Sequence, residues 1–166
     1  MTGAGSRLLA AFALLAPLAC QAQLPLSPLS QVWINPGFYS YHFDRNADLA
    51  DANPGLGIEW PLSQTWSLTA GGFRNSNRER SYYVGAYWMP IEVWGVKLGA
   101  ALGAFDGYPN YRDGGWFPAV IPTAAMEGRH FGLNVAILPE LKNRLYGAVT
   151  FQLKYRFEAP PEPPAR

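Results

Sequence analysis

The sequence predicts an all-β protein, an eight-stranded antiparallel transmembrane β-barrel of the outer-membrane type. The prediction rests on three observations. Segments of alternating apolar and polar residues recur along the chain, with turn residues between them. Of the 166 residues, 49% are hydrophobic and only 15% are charged, whereas a soluble domain has roughly 25% charged residues. After the N-terminal segment, Gly, Pro or a charge interrupts every long apolar stretch, and a chain without long apolar helices can cross a membrane only as a closed barrel.

Residues 1–22 have the pattern of a cleaved secretory signal peptide. Arg7 precedes an apolar run over residues 8–16, and the small residue Ala22 follows Cys20 and Gln21. The run is too short for a transmembrane helix, which needs about 20 apolar residues. Two alternatives stay open, an N-terminal core helix and a lipoprotein signal with Cys20 as the lipidated residue. Export through this peptide predicts the outer membrane of a Gram-negative cell as the location.

The barrel is assigned to residues 23–157, and the clearest strand is the last one. From Val149 to Phe157 apolar and polar residues alternate without interruption, so one face is apolar and the other polar. The Pro-rich tail, residues 158–166, is predicted to be disordered. The predicted strands are Trp33–Asp44, Gly55–Trp60, Trp66–Asn75, Ser81–Met89, Val96–Phe105, Phe117–Glu127, Phe131–Leu138 and Leu145–Phe157.

Periodicity does not decide whether the apolar faces turn inward, as in a lipocalin-like soluble carrier, or outward to lipid. Three further features favour the membrane. Tryptophans lie at several predicted strand ends, where interfacial girdles form. The last strand ends on Phe157, as in many outer-membrane proteins. The connections at residues 45–54, 76–80, 106–116 and 139–144 hold most of the charge, which predicts long polar loops at one end of the barrel and tight turns at the other.

Charge and motifs exclude several classes of function. The 13 basic and 12 acidic residues give a net charge of +1, so nucleic acid is not an expected partner. The sequence has no metal-binding spacing of Cys and His, no phosphate-binding loop and no nucleophile elbow. We therefore expect no cofactor and no metal.

One His and one Ser are predicted to lie at the same rim of the barrel. With the N-terminus in the periplasm, the first and third strands run in the same direction, so His42 and Ser76 both reach the outer end. The two strands are roughly 10 Å apart, at about 4.8 Å per strand. Such a pair supports acyl transfer, because the imidazole removes the hydroxyl proton and the oxygen attacks an ester carbonyl. The alternative is that His42 is a polar girdle residue and Ser76 a turn residue.

Arginines also gather at this rim: Arg45, Arg74, Arg78 and Arg80. A guanidinium binds phosphate through two hydrogen bonds, so Arg74 and Arg78 are candidate substrate-binding residues for lipid phosphate. The alternative is a solvated loop whose charges serve solubility.

The chain resembles the PagP family of outer-membrane lipid A palmitoyltransferases over nearly the whole predicted barrel. The matching pieces are Tyr41-His42 with Asp44-Arg45, Asn53-Pro54-Gly55-Leu56-Gly57, Phe73-Arg74-Asn75-Ser76, Gly85-Ala86-Tyr87-Trp88, Trp116-Phe117-Pro118-Ala119-Val120-Ile121-Pro122 and Gln152-Leu153-Lys154-Tyr155-Arg156-Phe157. The resemblance implies an eight-stranded barrel that moves an acyl chain from a phospholipid to lipid A. It implies catalytic roles for His42 and Ser76, and a lateral gate for lipid at Pro118 and Pro122.

Three departures from the family pattern qualify the resemblance. Asn75 stands where the family has Asp, which leaves the third catalytic position uncertain, and Asp44, two residues from His42, is a possible substitute. Tyr87 aligns with the small residue at the floor of the acyl pocket, so we expect an acyl chain shorter than palmitate. The segment 23–34 contains Pro25 and Pro28 and is a poor match to the amphipathic helix of the family.

The leading hypothesis is an enzyme, a monomeric acyltransferase with phospholipid as donor and lipid A as acceptor. The first alternative is a catalytically silent small barrel with a structural or lipid-binding role. A lipid A deacylase is a weaker alternative, because no His-x-Ser pair occurs on a late strand. A periplasmic lipocalin-like carrier comes last.

Overall fold

The structure, a computed structural model, describes residues 28–141 and 145–158. Eight antiparallel strands form a closed barrel in which each strand pairs with its neighbours in sequence and the last strand pairs with the first. The prediction of an eight-stranded antiparallel barrel is confirmed. The strands are β1 (Trp33–His42), β2 (Ala52–Pro61), β3 (Trp66–Arg74), β4 (Arg80–Val93), β5 (Val96–Phe105), β6 (Phe117–Glu127), β7 (Phe131–Leu138) and β8 (Ala148–Tyr155).

The outer wall of the barrel is apolar, and the interior is polar near one end of the barrel. On β8, Phe151 and Leu153 are exposed on the outer wall, while Gln152 and Lys154 are buried in the barrel. Side chains alternate across each strand, so other strands also expose apolar residues outside, such as Leu56 and Val120, but toward the other end of the barrel their inward-facing residues include aromatic ones such as Tyr83. A soluble barrel has the opposite arrangement, with the apolar face around its core. Among the described residues, no helix has the length and hydropathy needed to span a bilayer.

The two ends of the barrel differ in their connections. The connections over residues 43–51, 75–79, 106–116 and 139–147 lie at one end, called here the loop end. The connections over residues 62–65, 94–95 and 128–130 lie at the other, the turn end, where β1 begins and β8 finishes. This is the asymmetry expected from the distribution of charge. The predicted signal peptide and residues 159–166 of the predicted tail lie outside the described residues.

Three predicted strand boundaries move by several residues, and two of them concern proline. We expected β2 to begin at Gly55 and β4 to end at Met89. The structure includes Pro54 and Pro90 in these strands. Pro54 pairs with Gly37 next to a register shift in the β1–β2 ladder, and Pro90 lies within the register shift between Trp88 and Ile91, where a bulge leaves it outside the β4–β5 ladder. In β8 the ladder covers only 148–155 of the predicted residues 145–157.

A buried cluster of charged and amide side chains fills the barrel interior near the turn end. Lys154 Nζ lies 2.9 and 2.8 Å from the two carboxylate oxygens of Glu59 and 2.7 Å from Glu127 Oε1. Lys97 donates to the other oxygen of Glu127 at 2.7 Å. The two cations therefore balance the two anions, which removes the cost of an unpaired buried charge. Trp33 lies under Lys154, with Nζ 4.9 Å from the centre of a Trp33 ring, so side chains occupy this part of the interior.

Candidate active site

The loop-end half of the barrel holds an apolar cavity of about 280 Å³. Aromatic side chains from five strands and from the 106–116 loop line much of its wall, and neighbouring rings touch each other. The ring centres of Phe105 and Phe117 are 6.3 Å apart, those of Tyr83 and Phe105 are 5.9 Å apart, and those of Tyr111 and Phe117 are 4.6 Å apart. Such a wall suits an alkyl chain and offers few hydrogen-bonding groups to water.

Tyr87, which the resemblance placed at the floor of an acyl pocket, lines this cavity on the side of the turn end. Its side chain points inward from β4, packs against Met89 and Ala125, and donates a hydrogen bond from its hydroxyl to Gln152 Oε1 at 3.2 Å. Below it begins the charged cluster of Glu59 and Lys154. A chain entering from the loop end therefore meets the Tyr87 ring before it reaches the charged cluster.

The depth of the cavity follows from the strand geometry. From Ser81, which accepts a hydrogen bond from the loop-end residue Asn75, to Tyr87, β4 advances six residues, which is about 15 Å along the axis at about 3.3 Å per residue and a tilt of about 40°. An extended alkyl chain advances about 1.25 Å per carbon, because its bonds are about 1.5 Å long with angles near 111°. The cavity therefore matches a chain of about twelve carbons.

His42 is the last residue of β1, and its side chain faces the cavity mouth, 4% exposed. Its Nδ1 lies 3.1 Å from Asp51 Oδ1. Arg45 donates two further hydrogen bonds to the Asp51 carboxylate, at 3.2 Å each. The Arg45 hydrogen bond, and then the His42 hydrogen bond, lower the pKa of Asp51 below its usual range. An ionised carboxylate only accepts hydrogen bonds, so Nδ1 is the donor in this contact and Nε2 is the ring nitrogen left to act on a substrate.

The acid beside His42 is Asp51, and the suggestion of Asp44 was wrong. Asp44 would share a face with His42 only if β1 continued, but β1 ends at His42 and Asp44 is exposed. Its carboxylate accepts the backbone N–H of Asn46 instead. Asp51 precedes β2, where its carbonyl accepts the N–H of Ser40. The sequence signal for Asp51 was an acid just before the strand that pairs with β1, and the predicted start of β2 at Gly55 concealed it.

Ser76 lines the same cavity as His42, so the structure brings the predicted pair to one mouth. The Ser76 hydroxyl accepts a hydrogen bond from Asn53 Nδ2 at 3.3 Å. Asn53 is 1% exposed, and its Oδ1 accepts a hydrogen bond from Ser40 Oγ at 2.6 Å. His42 and Ser76 are not hydrogen-bonded to each other in the described part of the chain, and such contacts are often made only once substrate binds. Asn53, which sequence reasoning did not assign to the site, orients the Ser76 hydroxyl.

Asn75 is fully buried, and its contacts differ from those expected of a catalytic group. Its Nδ2 donates to Ser81 Oγ at 2.8 Å and to the Gly107 carbonyl at 2.7 Å. Its Oδ1 accepts the backbone N–H groups of Asn77 and Glu79, each at 3.0 Å. All four hydrogen bonds of the amide are therefore made within the loop end, and none reaches His42. An Asp here could not donate to the Gly107 carbonyl, which gives a structural reason for the amide.

Pro118 and Pro122 lie on the outward face of β6, where the barrel wall is incomplete. The β5–β6 ladder is continuous from Phe117 to Met126. The β6–β7 ladder covers only Thr123 to Glu127, so the half of β6 nearer the loop end has no ladder partner on β7. Proline has no backbone N–H to donate to a neighbouring strand. Because the ladder on the β5 side is unbroken, the positions where Pro118 and Pro122 lack an N–H face β7. The gap lies beside the cavity, whose lining includes residues 117–121 and Leu138.

The predicted substrate arginines, Arg74 and Arg78, both lie at the loop end and line one groove on the outer wall. Arg78 is in the β3–β4 loop, with Nη2 2.7 Å from Asp48 Oδ1, and it lowers the pKa of that carboxyl. Arg74 ends β3, and its Nε donates to the Arg78 carbonyl at 2.9 Å. Arg74 points to the outer wall and does not line the cavity.

Within the described residues, no group of three or more His, Cys, Asp and Glu side chains is placed to hold a metal ion. Comparison of the sequence with known protein-family models and with curated proteins finds no match.

Proposed function

We propose that this protein is an outer-membrane acyltransferase that moves a fatty acyl chain from a phospholipid to lipid A. The proposal rests on a cavity and a set of reactive side chains that lie together at the loop end. An apolar cavity closed by Tyr87 has a His–Asp pair and a serine hydroxyl at its mouth. A phospholipid places its ester bond at the base of an apolar chain, so a chain in the cavity brings its ester to His42 and Ser76.

The outer surface supports location in a membrane. From the Arg74–Arg80 pair at the loop end to the Trp66–Trp88 pair near the turn end, β3 advances eight residues, or about 20 Å along the axis at a tilt of about 40°. Apolar outer-wall residues such as Leu68 and Val84 lie between these pairs. The apolar band of an outer-membrane barrel is about 25 Å tall and is flanked by aromatic residues. The Trp66 and Trp88 rings, stacked 6.1 Å apart, fit such a girdle.

The chemistry follows from the positions of the side chains. His42 Nε2 removes the proton of the Ser76 hydroxyl as its oxygen attacks the ester carbonyl of the phospholipid. Collapse of the tetrahedral intermediate breaks the ester C–O bond, and the imidazolium returns the proton to the departing lysophospholipid oxygen. A lipid A hydroxyl then gives its proton to His42 as its oxygen attacks the acyl carbonyl, and when the Ser76–acyl bond breaks the imidazolium returns that proton to the Ser76 oxygen. Asp51 stabilises the imidazolium in both steps.

The gap beside Pro118 and Pro122 supports a lateral route by which the acyl chain enters from the outer leaflet. A lipid that entered through the loop end would have to leave the membrane first. The floor at Tyr87 supports a donor chain shorter than palmitate.

The second candidate is a catalytically silent barrel that binds lipid. The absence of a hydrogen bond between His42 and Ser76, together with the structural contacts of Asn75, favours it. Such a barrel would keep the cavity and the lateral gap without performing chemistry.

One experiment separates the two candidates. The chain, or its Ser76→Ala or His42→Ala variant, is expressed in a Gram-negative host, and the lipid A is analysed by mass spectrometry. We expect an added acyl chain with the wild type and none with either variant. His130→Ala is the matched control, because this second histidine lies at the turn end with Nδ1 3.1 Å from the Arg156 carbonyl. Lipid A without an added chain in the wild-type strain would favour the silent barrel, provided that heat-modifiable migration shows a folded protein.

A further inference from the structure

Four of the arginines at the loop end, Arg45, Arg74, Arg78 and Arg80, differ in how their charges are compensated. Arg45 is held by the Asp51 carboxylate and Arg78 by Asp48. Arg74 and Arg80 have no carboxylate within ion-pair distance in the part of the chain that the structure describes. The Arg74 guanidinium donates from Nε to a backbone carbonyl of the described residues, and its two Nη groups can serve another acceptor.

Arg74 and Arg80 are also direct neighbours. They form the last pair of the β3–β4 ladder, and both are exposed on the outward face of the barrel. Like charges directly opposite each other destabilise a sheet. An anion with several oxygens removes the repulsion, because each guanidinium offers it two parallel N–H donors. The pair therefore has the form of an anion site with its donors turned toward the outer leaflet.

A shallow apolar groove continues from this pair down the outer wall across β2, β3 and β4. Arg78 lines its upper edge together with the pair, Leu56 and Tyr82 line its lower part, and Gly55 and Gly72 lie between them. The glycines keep it open, since a Cβ at Gly72 would lie 2.9 Å from the Tyr82 ring. A cationic upper edge above an apolar floor matches a lipid whose phosphate lies at the membrane surface and whose chains extend into the bilayer.

We propose that Arg74 and Arg80 bind the phosphate of an outer-leaflet lipid on the outside of the barrel, and that this lipid is the acyl acceptor. The second half of the inference rests on the proposed acyl transfer. The site is close to the chemistry, because Asn53 Nδ2 donates both to the Arg74 carbonyl at 3.2 Å and to Ser76 Oγ at 3.3 Å. A phosphate held at this edge leaves the sugar hydroxyls of its lipid near the cavity mouth.

The test is binding of lipid A to the full chain in detergent micelles, measured by native mass spectrometry. The double variant Arg74→Gln/Arg80→Gln is compared with the wild type and with Arg112→Gln/Arg129→Gln, which loses the same charge at positions that do not line the outer groove. We expect the double variant to bind bisphosphorylated lipid A at least about tenfold more weakly, as for the loss of charge-assisted hydrogen bonds. The control should bind like the wild type, and dephosphorylated lipid A should bind all three proteins equally weakly.

Several outcomes would overturn the inference. The first is that the double variant binds lipid A as tightly as the wild type. The second is that the wild type binds phosphorylated and dephosphorylated lipid A equally well. The third is that inorganic phosphate alone, at millimolar concentration, displaces lipid A. The last result would assign the pair to a free anion. Heat-modifiable migration checks that the double variant is folded.

A transfer assay on the same proteins separates this inference from the proposed function. If the wild type binds lipid A through its phosphates but transfers no acyl chain, the site stands and the acyltransferase proposal fails. If the double variant transfers acyl chains with an unchanged KM for lipid A, the site fails and the acyltransferase proposal stands. The expected result is a KM for lipid A raised about tenfold with the KM for the phospholipid unchanged.

Discussion

Replacing Tyr87 by glycine should lengthen the acyl chain that the protein selects. The Tyr87 ring separates the apolar cavity from the residues below it, and its hydroxyl is tied to Gln152. Without this ring, the floor moves to the next inward-facing layer, which begins at Met89 on the same strand. The cavity then becomes deeper by one layer, while its mouth, with His42 and Ser76, keeps its geometry.

The size of the change can be worked out from the strand. One inward-facing layer is two residues, which is about 5 Å along the axis at about 3.3 Å per residue and a tilt of about 40°. At about 1.25 Å per carbon, this depth admits about four more carbons. Burying four methylene groups stabilises the longer chain by about 3 kcal/mol, or about a hundredfold in selection. The preferred chain should therefore move from about twelve carbons to about sixteen.

The assay is acyl transfer from phospholipids of defined chain length, with the products identified by mass spectrometry. Tyr87→Phe keeps the ring and should keep the original length. Tyr82→Gly, on the outer face of the same strand, should also leave the length unchanged. A large-to-small change in a packed interior costs about 3–5 kcal/mol, so heat-modifiable migration is measured in parallel. The reasoning is refuted if folded Tyr87→Gly protein selects the same chain length as the wild type, or if the wild type itself prefers sixteen carbons.

Further predictions concern the rest of the site and the interior. Asp51→Asn should lower kcat about a hundredfold, within the range for loss of general-base assistance, and should leave the KM for lipid unchanged in the same transfer assay. Arg45→Gln should raise the pKa of Asp51, because the Arg45 hydrogen bond is the main cause of its lowering. The ionised Asp51 carboxylate stabilises the fold above its unfolded pKa, and this stabilisation is lost as pH falls through its folded pKa. Because the variant raises the folded pKa, Asp51 loses its charge at a higher pH, and the acid limb of the pH–activity profile should move to higher pH. An unmoved limb would remove Asp51 from the site. Pro122→Ala restores a backbone donor on the side of β6 that faces β7 and should slow transfer by closing the gap, whereas a rate equal to the wild type would show that lipid enters elsewhere. Lys154→Met leaves Glu59 buried without its cation and should destabilise the barrel by about 3–5 kcal/mol, which denaturant unfolding in micelles would measure.

Much of the fold could be predicted from the sequence because strand alternation is a local property. The bounds of β5, β6 and β7 match the predicted ones residue for residue, since turn residues flank each of them. The errors at Pro54 and Pro90 arose where a bulge in the same or the facing strand accommodates the proline. A bulge depends on the partner strand, so one segment read alone cannot reveal it.

The candidate site was predicted in part. His42 and Ser76 could be placed at one mouth because the odd-numbered strands of an antiparallel barrel all run in the same direction. The ends of β1 and β3 therefore lie at the same end of the barrel. Asp51 and Asn53 could not be found in this way, because their roles depend on the register between β1, β2 and the β3–β4 loop. Asn75 resembled a catalytic position in sequence, but its amide forms four hydrogen bonds inside the loop end.

The amino-acid pattern alone determined the strand number, the apolar and polar faces and the end to which each connection belongs, because side-chain alternation and antiparallel order follow directly from the chain. Only the tertiary structure decided which face lines the interior, that Tyr87 closes the cavity, that β6 and β7 separate beside Pro122, and that Arg80 is the neighbour of Arg74. These features depend on closure of the sheet, which brings together side chains far apart in sequence at distances that no single segment specifies.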